Sequence, residues 1–108
     1  MENLAQQKCV PCESNTPPLS AEEVKAVMQT FPLWSVKNNS RIEKTVETKD
    51  FISSLKLANQ IGQLAEDEGH HPDLEISWGK LKISLETHAI GGLSKNDFVM
   101  AAKIDLIT

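Results

Sequence analysis

The chain is poor in the features that would place it outside the cell or in a membrane. It has only two cysteines, Cys9 and Cys12, too few for a disulfide scaffold. No apolar run approaches the length of about eighteen residues that reads as a membrane span. The start, Met1-Glu2-Asn3-Leu4-Ala5, lacks the basic and then apolar order of a secretory leader, so a cytoplasmic protein is expected. Basic charge is also scarce. Eleven Lys and Arg face fifteen Asp and Glu, a net charge of −4, which argues against nucleic acid or an anionic membrane as partner. There is no Gly-rich phosphate loop, because Ile90-Gly91-Gly92-Leu93 lacks a flanking Lys and a strand–turn–helix setting. No internal repeat or low-complexity tract is present.

What is there suits one domain with one core: 108 residues, 40% of them hydrophobic. Residues 1–18 read as a flexible N-terminal arm, with Pro11, Pro17, Pro18 and Ser14-Asn15-Thr16 and little to bury. Residues 19–108 read as the single domain. Ser20-Ala21-Glu22-Glu23 is a capping box opening a helix from about Ala21 to Thr30, which Pro32 stops. Trp34-Ser35-Val36 and Arg41–Thr48 read as strands joined by an Asn38-Asn39-Ser40 turn. Asp50–Glu68 is a long helix. Phe51, Leu55, Leu57, Ala58, Ile61, Gly62, Leu64 and Ala65 fill about half of its circumference, more than the stripe of roughly 100° common on surface helices. Gly69 ends it as a C′ residue. A hairpin follows from about Asp73 to His88, then an Ala89–Leu93 loop. Ser94-Lys95-Asn96-Asp97 is a second capping box, opening a last helix to about Leu106. The order α-β-β-α-β-β-α predicts an α+β fold, a four-stranded antiparallel sheet with three helices packed on one face.

All three histidines are His70, His71 and His88, with Gly79-Lys80 midway between the pair and the third. With Gly79 and Lys80 at the centre of a type II′ turn, Trp78 pairs with Leu81, Ile76 with Ile83 and Leu74 with Leu85. All six are apolar and share a face, and Trp78 reads as core. The same register sets His71 opposite His88. Histidines titrate nearest neutral pH, so several around one cavity suit general acid–base catalysis. Zinc is the rival reading. Against it, adjacent residues in an extended chain point to opposite sides, and the spacing matches no common zinc pattern. No metal is expected. Glu66, four positions before His70, is placed to hold an imidazole, at a helix end where acidic charge is unfavourable. Asp97 fills the N3 place of its capping box. Thr87 offers a hydroxyl to a polar ligand. Cys9-Val10-Pro11-Cys12 is half of a zinc-knuckle or redox spacing, with no second pair and no strand-to-helix setting.

Taken together, Glu66-x3-His70-His71-Pro72-x5-Trp78-x9-His88-x8-Asp97 resembles the motif of the pterin-4a-carbinolamine dehydratases. Leu19-Ser20-x-Glu22-Glu23, Trp34, Lys49-Asp50-Phe51 and Gly91-Gly92-Leu93-Ser94 also resemble that family, so the likeness runs from about Leu19 to the C-terminus. The resemblance implies a dehydratase that takes water from a 4a-hydroxytetrahydropterin and gives the quinonoid dihydropterin, recycled by a reductase for aromatic amino-acid hydroxylases. It implies no metal or organic cofactor, and a homodimer or homotetramer, which suits the wide apolar arc of the long helix. By position His70, His71 and His88 match the family's three essential histidines: His70 and His88 as an acid–base pair, in either order, and His71 chiefly as a residue that binds and orients the pterin. Two positions depart from the pattern. Gly69 stands where many relatives have an acidic residue, which weakens the orientation of His70, and Leu74 where some have an aromatic, which alters how the pterin ring is covered. The alternative is a non-catalytic dimerisation or assembly partner that keeps the fold.

Overall fold

A single antiparallel sheet organises the molecule, in a computed structural model that describes residues 3–10 and 16–108. Its strands are β1 (Ser35–Lys37), β2 (Arg41–Glu47), β3 (Asp73–Ser77) and β4 (Lys80–Leu85), in the order β1-β2-β4-β3. Three helices, α1 (Ala21–Met28), α2 (Phe51–Glu68) and α3 (Lys95–Ile107), complete the expected α-β-β-α-β-β-α order. Strand alternation makes the two faces. Ile42, Lys44, Leu81, Ile83 and Leu85 point inward and are buried. Glu43, Thr45, Glu75 and Lys82 point to the other side, where Lys82 lies 3.7 Å from Glu43 and 3.4 Å from Glu75. The helices cover the apolar face, and the core runs through Val24, Ile61, Leu93, Phe98, Met100 and Ile104. Burial of each large aliphatic or aromatic side chain there stabilises the fold by roughly 1.5–3 kcal/mol.

Local chemistry sets the helix ends. Ser20 and Glu23 form the capping box of α1, which ends two residues short of the expected Thr30. Asp50 caps α2 by accepting from the Ser53 N–H at 2.8 Å. Gly69 closes α2 with φ 68°, donating its N–H to Ala65 O at 2.8 Å. That left-handed conformation favours glycine. It gives a structural reason for a glycine where an acidic residue is common.

The buried stripe of α2 is narrower than expected. It consists of Ser54, Ala58, Ile61 and Ala65. Leu57 and Leu64 are half-buried against the core, whereas Phe51 and Ile52 are exposed. Ser54 enters the stripe because its hydroxyl is satisfied there, by Thr48 Oγ1 at 2.6 Å and Lys80 O at 3.2 Å. Among the described residues, no helix is long and apolar enough to cross a membrane.

The second hairpin corrects the expected register. Ile76 pairs with Leu81 and Leu74 with Ile83, a shift of two residues. Trp78 and Gly79 are the central residues, and only Gly79 has positive φ, at 81°, as in a type II rather than a type II′ turn. Two consequences follow. Trp78 sits on the turn, 74% exposed, instead of in the core. His88 lies beyond the ladder, in a 3-10 turn spanning His88–Ile90, and not opposite His71. The apolar faces are nevertheless as expected, because a shift of two residues preserves them.

The N-terminal segment also differs from the arm expected to bury little. Leu4–Gln6 form a 3-10 turn packed on α3, and Leu4 is only 6% exposed. Lys103 Nζ donates to Ala5 O at 2.9 Å. Pro11 and Cys12 lie outside the described residues.

Candidate active site

The last turn of α2, the end of β4 and the first turn of α3 converge on a cavity of about 520 Å³. It is lined by Glu68, Gly69, His70 and His71 from the α2 end, and by Glu86, Thr87, His88 and Ala89 after β4. Asn96 of α3 and Cys9 and Val10 of the N-terminal segment also line it. Its size lies in the usual range for small-molecule sites, roughly 300–1,000 Å³. Leu74 is not among the lining residues. It packs against the core, so its departure from an aromatic has no direct effect on the cavity wall.

Gly69 and Pro72 determine how the histidine pair is presented. After the left-handed Gly69 the chain leaves the helix, and the two imidazoles diverge as adjacent extended residues do. His70 turns inward, its side chain 12% exposed, and its Nε2 lies 2.6 Å from Asp97 Oδ1. His71 turns outward, 61% exposed, and its Nε2 pairs with Glu66 Oε2. Glu66 therefore holds an imidazole as expected, but that of His71 rather than His70.

Asp97 is fully buried and makes three contacts. Oδ1 meets His70, while Oδ2 accepts from the Thr87 hydroxyl at 2.8 Å and from the Ser94 N–H at 3.0 Å. Thr87 Oγ1 is also 2.7 Å from Ser94 Oγ. With Thr87 donating to the carboxylate, Ser94 donates to Thr87. The Thr87 hydroxyl thus serves Asp97, although the residue borders the cavity. An ionised carboxylate only accepts hydrogen bonds, so His70 donates from Nε2. In the neutral imidazole, Nδ1 is then the basic nitrogen.

His88 comes from the other wall. It is 70% exposed, and its Nδ1 is 3.7 Å from Glu86 Oε1. The loop carrying it is closed by Thr87 N–H donating to Gly92 O at 2.9 Å. Asp73, Glu86 and His88 each bring one potential ligand atom within 4.8 Å of the others. His70 and His71 lie outside that group, each engaged with a carboxylate. The three histidines thus share a cavity without forming a three-histidine ligand set.

Sequence reasoning did not place Glu68, Asn96, Cys9 or Val10 at the cavity. Glu68 is almost completely buried, accepting from the Cys9 N–H at 2.9 Å and lying 3.8 Å from both Lys8 and Lys103. A buried acid two positions after Glu66 carries no distinguishing mark on a helical wheel. The Asn96–Val10 pairing joins residues 86 positions apart, beyond any local pattern.

The family described as pterin 4 alpha carbinolamine dehydratase matches residues 17–107. A relative from Alkaliphilus metalliredigens, named "Putative pterin-4-alpha-carbinolamine dehydratase", is 53% identical over 106 residues, covering 97% of this chain and 96% of its own. A relative of the same name from Chlorobaculum tepidum is 44% identical over 108 residues, covering 97% of each chain. A crystal structure described as a transcriptional coactivator/pterin dehydratase from Brucella melitensis superposes with a TM-score of 0.77 at 25% identity. That match covers 83% of this chain and 97% of the other.

Proposed function

Because the chain belongs to the pterin 4 alpha carbinolamine dehydratase family, we propose that it removes water from a 4a-hydroxytetrahydropterin by histidine acid–base catalysis. The observation that carries this reading is the gathering of His70, His71 and His88 on one cavity, with His70 seated on buried Asp97. In the reaction the C4a–O bond breaks and the hydroxyl leaves as water, taking a proton from an acid. The N5 proton goes to a base, and its electron pair forms the N5=C4a bond of the quinonoid dihydropterin. Hydroxide leaves poorly unless protonated, so each positioned proton-transfer group contributes about 10²–10⁴-fold.

The geometry favours His70 as base. Its Nε2–H is held by Asp97, which leaves Nδ1 to accept and stabilises the imidazolium that forms. His88, on the β4 side, takes the part of the acid. His71, held by Glu66, binds and orients the pterin, and Thr87 supports the site through Asp97. The product is of the kind a reductase returns to tetrahydropterin for aromatic amino-acid hydroxylation.

The test compares the parent with a His70→Ala/His88→Ala double variant, both shown to be folded. Turnover should fall at least ~10²-fold, and a chelator should leave the parent unchanged. Equal rates, or activity lost to chelator and restored by zinc, would overturn the acid–base reading. The Brucella structure's description names a coactivator as well as a dehydratase, which favours the second reading, an assembly partner with the same fold. A parent without turnover would select it.

Self-association belongs to the proposal too. Phe51 and Ile52 stand 47% and 56% exposed at the start of α2, and adjoining exposed apolar side chains favour a partner surface. Phe51→Lys with Ile52→Lys should lower the mass in solution from a dimer or tetramer toward a monomer. A monomeric parent would refute this part.

A further inference from the structure

Cys9 and Val10 cross the rim of the cavity between the end of α2 and the start of α3. Both are pinned through the backbone. Cys9 N–H donates to Glu68 Oε1 at 2.9 Å, and Val10 N–H donates to Asn96 Oδ1 at 2.9 Å. Asn96 Nδ2 returns a hydrogen bond to Val10 O, so one side chain holds both polar groups of that residue. Glu68 and Asn96 are buried posts, their residues belonging to the two helices that also carry the site. Farther back, Leu4 is buried and Ala5 O is held by Lys103.

The outcome is unusual for an apolar side chain. Val10 is 62% exposed, yet its backbone is fixed at both polar atoms and it borders the cavity that holds the histidines. Core packing does not explain that placement. A flat heterocycle in a shallow site needs an apolar wall against its face as well as polar groups at its edge. Asn96 immediately precedes Asp97, which fixes His70. One helical turn therefore sets both the imidazole and the wall. The match to the family model begins at residue 17, so Val10 lies outside the matched segment.

We infer that the N-terminal segment is a substrate-positioning wall, with Val10, held by Asn96, packing on one face of the bound pterin. This rests on the pterin reading given above. Val10 and Asn96 are positioning residues and move no proton.

The experiment uses the full chain and the variants Val10→Gly and Asn96→Ala. It measures dihydrobiopterin binding by fluorescence titration, KM and kcat for dehydration, and melting temperature. Val10→Gly should raise KM and the dissociation constant about tenfold, the scale expected for losing one buried Val side chain. Its kcat should stay within about threefold and its melting temperature should not change, since the side chain is exposed. Asn96→Ala should show the same loss of binding. If Asn96→Ala fails to fold, Val10→Gly alone decides. Binding and KM equal to the parent's in Val10→Gly would overturn the inference, and so would a loss confined to kcat or melting temperature. A parent that binds no dihydrobiopterin would bring down the pterin reading as well. A parent that binds, beside an unaffected Val10→Gly, brings down the wall alone.

Discussion

The same four-residue capping signal occurs at two helix starts, and the two have different uses. In Ser20-x-x-Glu23 the carboxylate accepts from the Ser20 N–H at 2.9 Å and is otherwise in water. In Ser94-x-x-Asp97 one carboxylate oxygen accepts from the Ser94 N–H at 3.0 Å, and the residue is fully buried. Its other oxygen therefore needs a partner, because an unpaired buried charge is costly. His70 supplies that partner. At the surface a cap only starts a helix. In the interior, the carboxyl group left over from capping becomes the support of a histidine that lines the cavity.

The comparison breaks most visibly at Asp97. Asp97→Ala should cost roughly 3 kcal/mol of stability, because it strips a buried imidazole and a hydroxyl of their acceptor. Turnover should fall ~10²-fold as the His70 orientation is lost. Asp97→Asn, of nearly the same shape, should lose less stability but a similar part of the turnover. Denaturant melts beside dehydration rates check this, and unchanged turnover in a folded Asp97→Asn would reduce Asp97 to a plain cap.

A smaller effect is expected at Thr87. Thr87→Val removes one of the three contacts to Asp97 and leaves the His70 bond in place. Stability should fall by about 1–2 kcal/mol, with turnover down less than about tenfold. A collapse of turnover equal to that of Asp97→Ala would show that the hydroxyl acts on substrate directly.

The smallest effect belongs to the exposed box. Backbone and then side-chain hydrogen bonds from Ser20 hold the Glu23 carboxyl below the usual range. A carboxyl depressed in the folded state adds stability above its unfolded pKa, about 4.3, and loses it as pH falls through the folded value. Glu23→Gln keeps the capping acceptor. It should leave the melting temperature near pH 7 almost unchanged and flatten its fall below about pH 4. An identical acid slope in parent and variant would contradict the assignment.

Helix order, both capping boxes, the Gly69 stop and the apolar face of the second hairpin's strands were legible, because caps and periodicities are local. Register was not. The apolar pairing of Leu74, Ile76, Leu81 and Ile83 is satisfied equally by two alignments that differ by two residues, and only the turn at Trp78-Gly79 chooses between them. The gathering of the three histidines was legible from their spacing, although the hairpin register offered as its reason was wrong. His88 reaches the cavity through a 3-10 turn instead. Which acid serves which imidazole was not legible either. It depends on the direction the chain takes after Gly69, which sends His70 to Asp97 and His71 to Glu66. The packing of residues 4–10 depended on contacts with α2 and α3, remote in sequence and absent from any periodic pattern.

The three contacts of Asp97 also have a meaning in time. They tie the first turn of α3 to Thr87 just past the end of β4 and to His70 past the end of α2. Regions linked through one buried group open as a unit rather than piece by piece. The start of α3 cannot fray while His70 keeps its partner, and His70 cannot swing away without leaving a carboxylate bare. Slow amide exchange at Ser94, whose N–H is bound to that carboxylate, would therefore report how long the histidine stays in place.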